Sequence, residues 1–305
     1  MNLLGTYRNG NYRVAIFDDG TKIRFNNKDT LIPEYPESID LKITNRCDIG
    51  CPMCHEDSKA DGKHGNIMDL KFIDTLLPYT ELAIGGGNPL SHPDLIRFLN
   101  VLKEKKIIAN ITVNQIHFMN NLEYIKYLVR EKLVHGIGVS LVNPTEEFIN
   151  TVKMFDNAVI HVVNGIVSIN VLEKLAHKGL KVLILGYKKV RRGKELYDNF
   201  ASKVSIDGNI DLMYGYLEEV LRDKWFDVIS FDNLALEQLN PKRFLTDDEW
   251  DDMYMGDDGC FSMYIDAVKN EYSVSSTMSD IYRYGLKDDI RTMFAHVKEV
   301  KDMKE

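Results

Sequence analysis

Short β-branched runs alternate with amphipathic segments from Ile39 onward, and this alternation constrains the fold more than any other feature of the sequence. Helical spacing of apolar residues fills the stretches between the runs, as in Asp69–Leu77 and Pro93–Glu104. Strands that alternate with helices in this way form a parallel sheet, which carries its chemistry at the carboxyl ends of the strands. We therefore expect an α/β fold, a partial (β/α)6 parallel barrel. Its predicted strands are Ile39–Thr44, Leu82–Gly85, Ile107–Val113, Gly136–Leu141, Val159–Val163 and Val182–Leu185.

The segments on either side of this core predict further structure. Turn signals predict an N-terminal β-hairpin of Tyr12–Phe17 and Lys22–Phe25. The tail predicts a small α+β extension, with a turn at Asp207-Gly208, a helix at Leu212–Leu221, strands at Val228–Phe231 and Leu234–Leu236, an acidic loop at Asp247–Asp258, a hairpin of Ser262–Ala267 and Glu271–Ser275, and a helix at Lys287–Val300. We expect three domains: a leader at 1–36, the barrel core at 37–200 and the extension at 201–305.

Composition excludes several classes of partner. The chain has 305 residues, of which 44% are hydrophobic, so it can bury a sizeable core. Its net charge of -8 provides no basic field, and we do not expect a nucleic-acid partner. No apolar run approaches the ~18 residues of a membrane span, and the first residues are too polar for a secretory signal. We therefore expect a cytoplasmic protein without a membrane contact.

Three of the four cysteines lie within eight residues, directly after the first predicted barrel strand. Cys47, Cys51 and Cys54 have the spacing C-x3-C-x2-C, and such crowding is typical of metal ligation in a reducing compartment. Three thiolates on a tight loop can ligate three irons of a four-iron, four-sulfur (4Fe-4S) cluster. The fourth iron is then open to the amino and carboxylate groups of a bound molecule.

This spacing, after the first strand of a six-unit partial barrel, resembles the radical S-adenosylmethionine superfamily. The resemblance implies that Cys47, Cys51 and Cys54 bind one 4Fe-4S cluster and that S-adenosylmethionine chelates the open iron. It also implies that an electron from a partner such as flavodoxin or ferredoxin releases a 5'-deoxyadenosyl radical, which abstracts a substrate hydrogen. Met53 stands where the family commonly has an aromatic residue near the adenine, and its soft apolar side chain can take that place.

A second resemblance lies at the end of the second strand, where the family usually has a G-G-E-P motif. Its glycines let the backbone approach the methionine part of S-adenosylmethionine. Asn88 occupies the glutamate position, so its amide oxygen can accept a hydrogen bond from the ammonium but adds no charge. The alternative is a plain glycine-rich turn between a strand and a helix. The residues concerned here are Gly85, Gly86, Gly87, Asn88 and Pro89.

Polar residues close several other predicted strands. The resemblance implies that Ser140 lies near the ribose or carboxylate of S-adenosylmethionine and that Asn114 faces the pocket. His161 lies near the end of the fifth strand, and Lys188 is the best placed residue of the basic segment 188–193 to bind a carboxylate or phosphate. The alternatives are polar strand ends without a ligand and a solvated basic loop.

The C-terminal stretch resembles the auxiliary-cluster region of peptide-modifying radical enzymes, with Cys260 as its remaining cysteine. We therefore expect no second cluster, and a peptide as the substrate. Peptide epimerases of this superfamily use a lone cysteine to return a hydrogen atom to a carbon radical. Cys260 is accordingly the predicted catalytic residue, and a buried, inert thiol is the alternative.

The leading hypothesis is an enzyme that modifies or epimerises a ribosomally made peptide. Only about 35 residues precede the first barrel strand, so we expect no winged-helix leader-binding domain. A radical enzyme acting on a nucleotide or small metabolite is the first alternative, and a tight polar pocket would favour it. A non-catalytic iron-sulfur redox sensor is the second, although the glycine-rich motif disfavours it. A zinc site completed by His55, His64 or Cys260 is the third.

Overall fold

The computed structural model describes residues 1–26 and 30–303, so positions 27–29 of the predicted leader and 304–305 of the predicted extension lie outside the described residues. Near the N-terminus, the predicted hairpin is present and gains a third strand on one side, because β1 pairs antiparallel with β2. This small sheet contains β1 (Leu3–Asn9), β2 (Tyr12–Phe17) and β3 (Lys22–Phe25).

A larger sheet forms the centre of the molecule, in the order β10-β9-β8-β7-β6-β5-β4-β11-β12-β13. Neighbouring strands from β10 to β11 are parallel, and β12 and β13 add antiparallel pairs at one edge. Among the described strands, no ladder joins β10 to β13, so the sheet is an open one. The predicted α/β fold is confirmed. The strands are β4 (Ser38–Thr44), β5 (Glu81–Gly86), β6 (Ile108–Asn114), β7 (Gly136–Ser140), β8 (Ala158–Val163), β9 (Lys181–Leu185), β10 (Val228–Phe231), β11 (Ser262–Asp266), β12 (Glu271–Ser273) and β13 (Tyr284–Gly285).

Helices follow most of the parallel strands and bury an apolar stripe against the sheet. None of the helices in the described part of the chain is both long and apolar enough to cross a bilayer. The helices are α1 (Leu95–Glu104), α2 (Gln115–Asn120), α3 (Leu122–Arg130), α4 (Glu146–Val152), α5 (Ile169–Glu173), α6 (Arg191–Asp198), α7 (Phe200–Arg222), α8 (Asn233–Leu239), α9 (Asp247–Met253) and α10 (Ile290–Asp302).

The two faces of the large sheet differ in polarity. Side chains alternate along a strand, so every second residue of β6, β8 and β9 is buried in the apolar core while the residues between them are partly exposed. We call the second set the polar face. Register pairs place its members side by side across the strands: Lys42 with Gly85, Thr112 with Gly138, and Ser140 with both Asn114 and His161.

One helix prediction and one turn prediction need correction. The predicted helix Asp69–Leu77 is absent, and two short 3-10 turns, Ile67–Asp69 and Lys71–Thr75, overlap the segment, because Leu70 between them has ψ near 83° and interrupts the helical backbone. Asp207-Gly208 lies inside α7, where the prediction of a turn is wrong. Packing explains the difference, since Ile206, Met213 and Leu217 are buried and hold the helix against the core.

Two predictions for the tail are also wrong. Leu234–Leu236 lies in α8 and forms no strand, because the Asp232 carboxylate accepts a hydrogen bond from the Ala235 amide and caps a helix at this point. The acidic stretch predicted as a loop begins with α9. Thr246 and Glu249 form a reciprocal capping box there, and the acidic residues of the first turn favour the helix dipole.

Candidate functional site

The three predicted cysteine ligands lie on one loop after β4, and each is half-buried. The Cys47 amide donates to the Lys59 carbonyl at 2.8 Å, and the Cys54 amide donates to the Cys51 carbonyl at 3.2 Å. Burial raises the pKa of Cys47 and of Cys51, and the negative charge of Cys54 raises both further. The thiolates therefore lie within electrostatic reach of one another. A cationic cluster would relieve this repulsion, so the donor set fits a metal group.

Asn114 lies beside this loop. Its amide oxygen accepts a hydrogen bond from the Ile116 backbone at 2.9 Å and caps α2, while Nδ2 lies 3.9 Å from the Cys51 sulfur. Ser140 and His161 continue the same row across β7 and β8. The structure thus brings the predicted strand-end residues to the edge of the sheet that carries the cysteines.

A second contact holds the cysteine loop against α2, and the sequence pattern did not predict it. The imidazole Nε2 of His117, on α2, lies 2.7 Å from the Asp48 carboxylate. This hydrogen bond is the main cause of the lowered pKa of Asp48. Potential ligand atoms of Cys47, Asp48 and His117 lie within 4.8 Å of one another, and neither His55, His64 nor Cys260 joins this group in the described ranges.

The glycine-rich motif forms a backbone unit with the cysteine loop. The Gly87 amide donates to the Thr44 carbonyl, and the Asn88 amide donates to the Arg46 carbonyl, both at 2.7 Å. Gly87 is required sterically, because a Cβ there would lie 2.2 Å from the Arg46 carbonyl oxygen. Gly85 differs, since its nearest neighbour would be the Thr112 Cβ at 3.9 Å. The polar face therefore has free space at Gly85.

The predicted ammonium acceptor has a structural contact of its own. The amide oxygen of Asn88 accepts a hydrogen bond from the Leu90 backbone at 3.2 Å and caps the 3-10 turn Pro89–Ser91. This contact fixes the side chain. Because an amide oxygen has two lone pairs, it leaves one for a ligand.

An ionic network on the polar face was also missed. The Lys42 ammonium lies 2.7 Å from the Glu56 carboxylate and 3.3 Å from that of Asp266, and the Tyr264 hydroxyl donates to Glu56 at 3.1 Å. Burial opposes ionisation of Glu56, yet the nearby positive charges hold its pKa below the ordinary value. The network joins the segment after Cys54 to β11, on the far side of β4 from the glycine motif.

The basic segment after β9 packs against the chain that follows the cysteines. Arg191 donates to the His55 carbonyl, and Arg192 donates to the Ser58 carbonyl at 2.6 Å. These two arginines are therefore engaged and do not form a free solvated loop. Met53 is half-buried on the cysteine loop, and its carbonyl lies close to Gly193. Lys188 donates to the Ser276 hydroxyl at 3.2 Å.

Lys188 also lines a cavity of about 990 Å³ between the barrel strands and the C-terminal extension. The cavity is open to solvent. Its barrel side includes Asp40 and Tyr187, and its other walls come from the chain around α8 and α9 and from the segment after β12. Three further cavities have volumes of about 280, 380 and 450 Å³.

Cys260 lies at the opposite end of the sheet from the other cysteines. It precedes β11, whose first residue, Ser262, pairs with Ser38 at the start of β4. The cysteine loop follows the end of β4, about 20 Å away at the usual rise of a strand. The structure therefore does not bring Cys260 to the other three thiols.

Comparisons with known proteins agree with this geometry. Residues 41–190 match the family model of the Radical SAM superfamily. The chain is 25% identical over 85 residues to the PqqA peptide cyclase of Gluconobacter oxydans (strain 621H), which covers 26% of this chain and 24% of that protein. This chain therefore matches only about a quarter of the length of that curated relative.

The fold resembles that of Streptococcus suis SuiB. The structure of SuiB bound to its precursor peptide SuiA aligns with a TM-score of 0.60 and 14% identity, over 88% of this chain and 67% of SuiB. SuiB bound to S-adenosylmethionine aligns with a TM-score of 0.53 and 16% identity, over 79% of this chain and 60% of SuiB. The family match contains the cysteine loop, the glycine motif and every strand from β5 to β9. The match over residues 41–190 supports this chain as a member of the radical S-adenosylmethionine superfamily.

Proposed function

We propose that this chain is an enzyme that cleaves S-adenosylmethionine reductively at one 4Fe-4S cluster and uses the 5'-deoxyadenosyl radical to abstract hydrogen from a ribosomally made peptide. The main observation behind this proposal is that backbone hydrogen bonds connect the glycine-rich motif to the cysteine loop. Half-buried thiols at positions 47, 51 and 54 share one loop, and the Gly87 and Asn88 amides are hydrogen-bonded to the backbone that leads into it.

The surrounding residues have distinct roles in this proposal. Cys47, Cys51 and Cys54 hold the cluster. Gly85 leaves space on the polar face for the methionine part of S-adenosylmethionine, and the free lone pair of Asn88 accepts its ammonium. Gly86, Gly87 and Pro89 fix the backbone of this segment.

Further contacts to the nucleoside come from elsewhere on the same edge of the sheet. Met53 provides an apolar contact for the adenine. Asn114 and Ser140 offer hydrogen bonds from neighbouring strand ends, and Lys188 offers a positive charge to a carboxylate. An electron carrier such as flavodoxin or ferredoxin supplies the reducing equivalent.

A peptide is the substrate that the observations favour. One relative is by its name a peptide cyclase, and SuiB has been crystallised with a precursor peptide. The cavity of about 990 Å³ is open and large, whereas a nucleotide or small-metabolite enzyme would favour a tight polar pocket. Because Cys260 lies far from the cysteine loop, we propose a modification that does not need this thiol.

The test uses the full chain with its cluster reconstituted under anaerobic conditions. The protein is incubated with S-adenosylmethionine, dithionite and short peptides encoded next to its gene, and 5'-deoxyadenosine and peptide mass are measured. We expect 5'-deoxyadenosine from the wild type and a mass change in one peptide, and neither product from Cys51→Ala. A wild-type protein that holds the cluster but forms no 5'-deoxyadenosine would favour the redox sensor.

A further inference from the structure

The large cavity contains a carboxylate, that of Asp40, for which the described part of the chain provides no hydrogen bond or ion pair. Asp40 lies on β4 and belongs to the polar face, between Tyr264 of β11 and Ala83 of β5 in register. Its side chain lines the cavity, and solvent reaches it from there. Within the described ranges, no hydrogen bond or ion pair engages this carboxylate.

The lysines of the cavity wall are engaged elsewhere. Lys188 donates to Ser276, Lys189 lies 3.8 Å from the centre of the Tyr197 ring, and Lys242 pairs with Asp247 at 3.4 Å. Lys301, at the edge of the cavity, also has an interaction partner. Each of these lysines therefore has a contact within the protein, whereas among the described residues none forms a hydrogen bond or ion pair with the Asp40 carboxylate.

The electrostatic surroundings of Asp40 favour an added cation. Enclosure by protein raises its pKa to about 6, and the negative charges of Asp258, Glu56 and Asp232 outnumber the opposing charge of Lys188. Asp232 and Asp258 line the same cavity. A ligand cation at Asp40 would therefore have these two further carboxylates in the same cavity.

The wall of the cavity offers apolar area as well. Trp250 and Tyr254 of the α9 region both line it, and their rings stack with centroids 4.8 Å apart and planes 20° from parallel. Flat aromatic surface of this kind suits the methylene stem of a long basic side chain, whose charged end continues to a carboxylate. The cavity therefore combines an unpaired acid with an aromatic wall.

We infer that this cavity binds a cationic side chain of the substrate, a lysine or an arginine, with its charge at Asp40; the inference rests on the proposed action on a peptide. Asp40 is then a specificity-determining residue. It selects which peptide, and which register of that peptide, is held in the cavity.

The test measures binding without the radical reaction. The reconstituted full chain is titrated calorimetrically with Nα-acetyl-lysine methylamide and with its uncharged counterpart, Nα-acetyl-norleucine methylamide. We expect the lysine probe to bind about tenfold tighter, because a charge-assisted hydrogen bond in a recessed site has this effect. Asp40→Asn should abolish the preference, and Asp40→Glu should retain it.

Glu237→Gln is the matched control, since Glu237 lines the same cavity and the substitution removes one negative charge. It should leave the preference in place. Equal affinity for the two probes, no binding of either probe to the wild type, or a preference that survives Asp40→Asn would each overturn the inference. If 5'-deoxyadenosine forms while the preference is absent, only the inference fails. If the preference depends on Asp40 but no 5'-deoxyadenosine forms, the proposed function fails instead.

Discussion

Gly87 lies directly against the main-chain carbonyl of Arg46, so close that a Cβ on Gly87 would stand 2.2 Å from the carbonyl oxygen. The contact joins the glycine-rich motif to the residue that precedes the first cysteine. Gly85, two residues earlier, has no such neighbour. A side chain at Gly87 would collide with the protein backbone, whereas a side chain at Gly85 would extend into free space.

Replacing each of these glycines by alanine separates the two effects. Gly87→Ala should lower the free energy of unfolding by about 1–3 kcal/mol, because the new methyl group forces the backbone apart. Gly85→Ala should unfold like the wild type but bind S-adenosylmethionine about tenfold more weakly, since the methyl group fills the space proposed for the ligand. Denaturant unfolding and calorimetric titration measure the two effects. A Gly85→Ala protein with unchanged affinity would remove Gly85 from the proposed site.

Asn88→Asp should strengthen the binding of S-adenosylmethionine. Aspartate keeps the cap on the Leu90 amide and adds the negative charge that the family usually provides at this position. We expect a gain of about tenfold in affinity, as for a hydrogen bond that becomes charge-assisted. Calorimetric titration of the reconstituted protein checks this. Equal or weaker binding by Asn88→Asp would show that the side chain does not face the ammonium.

His161 should make stability depend on pH. Burial lowers its pKa from 6.5 to about 4, so between these values the unfolded chain binds a proton that the folded chain does not. As the pH falls from 6.5 to 4, the free energy of unfolding of the wild type should decrease relative to His161→Gln, by up to ~3 kcal/mol. Above pH 6.5 the difference should be constant. Parallel unfolding curves at all pH values would contradict the lowered pKa of this imidazole.

Cys260→Ala should leave the chemistry intact. Cys260 precedes β11, whose first residue pairs with the first residue of β4, whereas the cysteine loop follows the last residue of β4. Because of this separation, we expect unchanged iron content and unchanged yields of 5'-deoxyadenosine and peptide product. The variant and the wild type should also incorporate the same amount of deuterium from deuterated water. A loss of solvent deuterium in the variant alone would restore the hydrogen-donor role.

The sequence predicts those parts of the site whose residues follow directly after predicted strands. Strand ends and loops follow from the alternation of apolar runs, so the cysteine loop, the glycine motif and Asn114 were expected at one edge of the sheet. Contacts between distant segments are not visible in such a pattern. His117 reaches Asp48 across 69 positions, and Tyr264 reaches Glu56 across 208.

Register and packing explain the placements that the sequence pattern did not predict. The placement of Cys260 depends on the pairing of β11 with β4, which no local pattern specifies. A short apolar run such as Leu234–Leu236 is compatible with a strand or a helix, and the cap from Asp232 decides for the helix. Asp207-Gly208 favours a turn locally, but buried neighbours in α7 override that preference.

Metal analysis of anaerobically prepared protein tests the central claim most directly. After reconstitution, the wild type should contain about four irons and four sulfides per chain, and Cys51→Ala should not retain this cluster. Addition of S-adenosylmethionine should change the electron paramagnetic resonance spectrum of the reduced wild type, because the ligand binds the open iron. Zinc in place of iron and sulfide, or a spectrum unaffected by S-adenosylmethionine, would contradict the account.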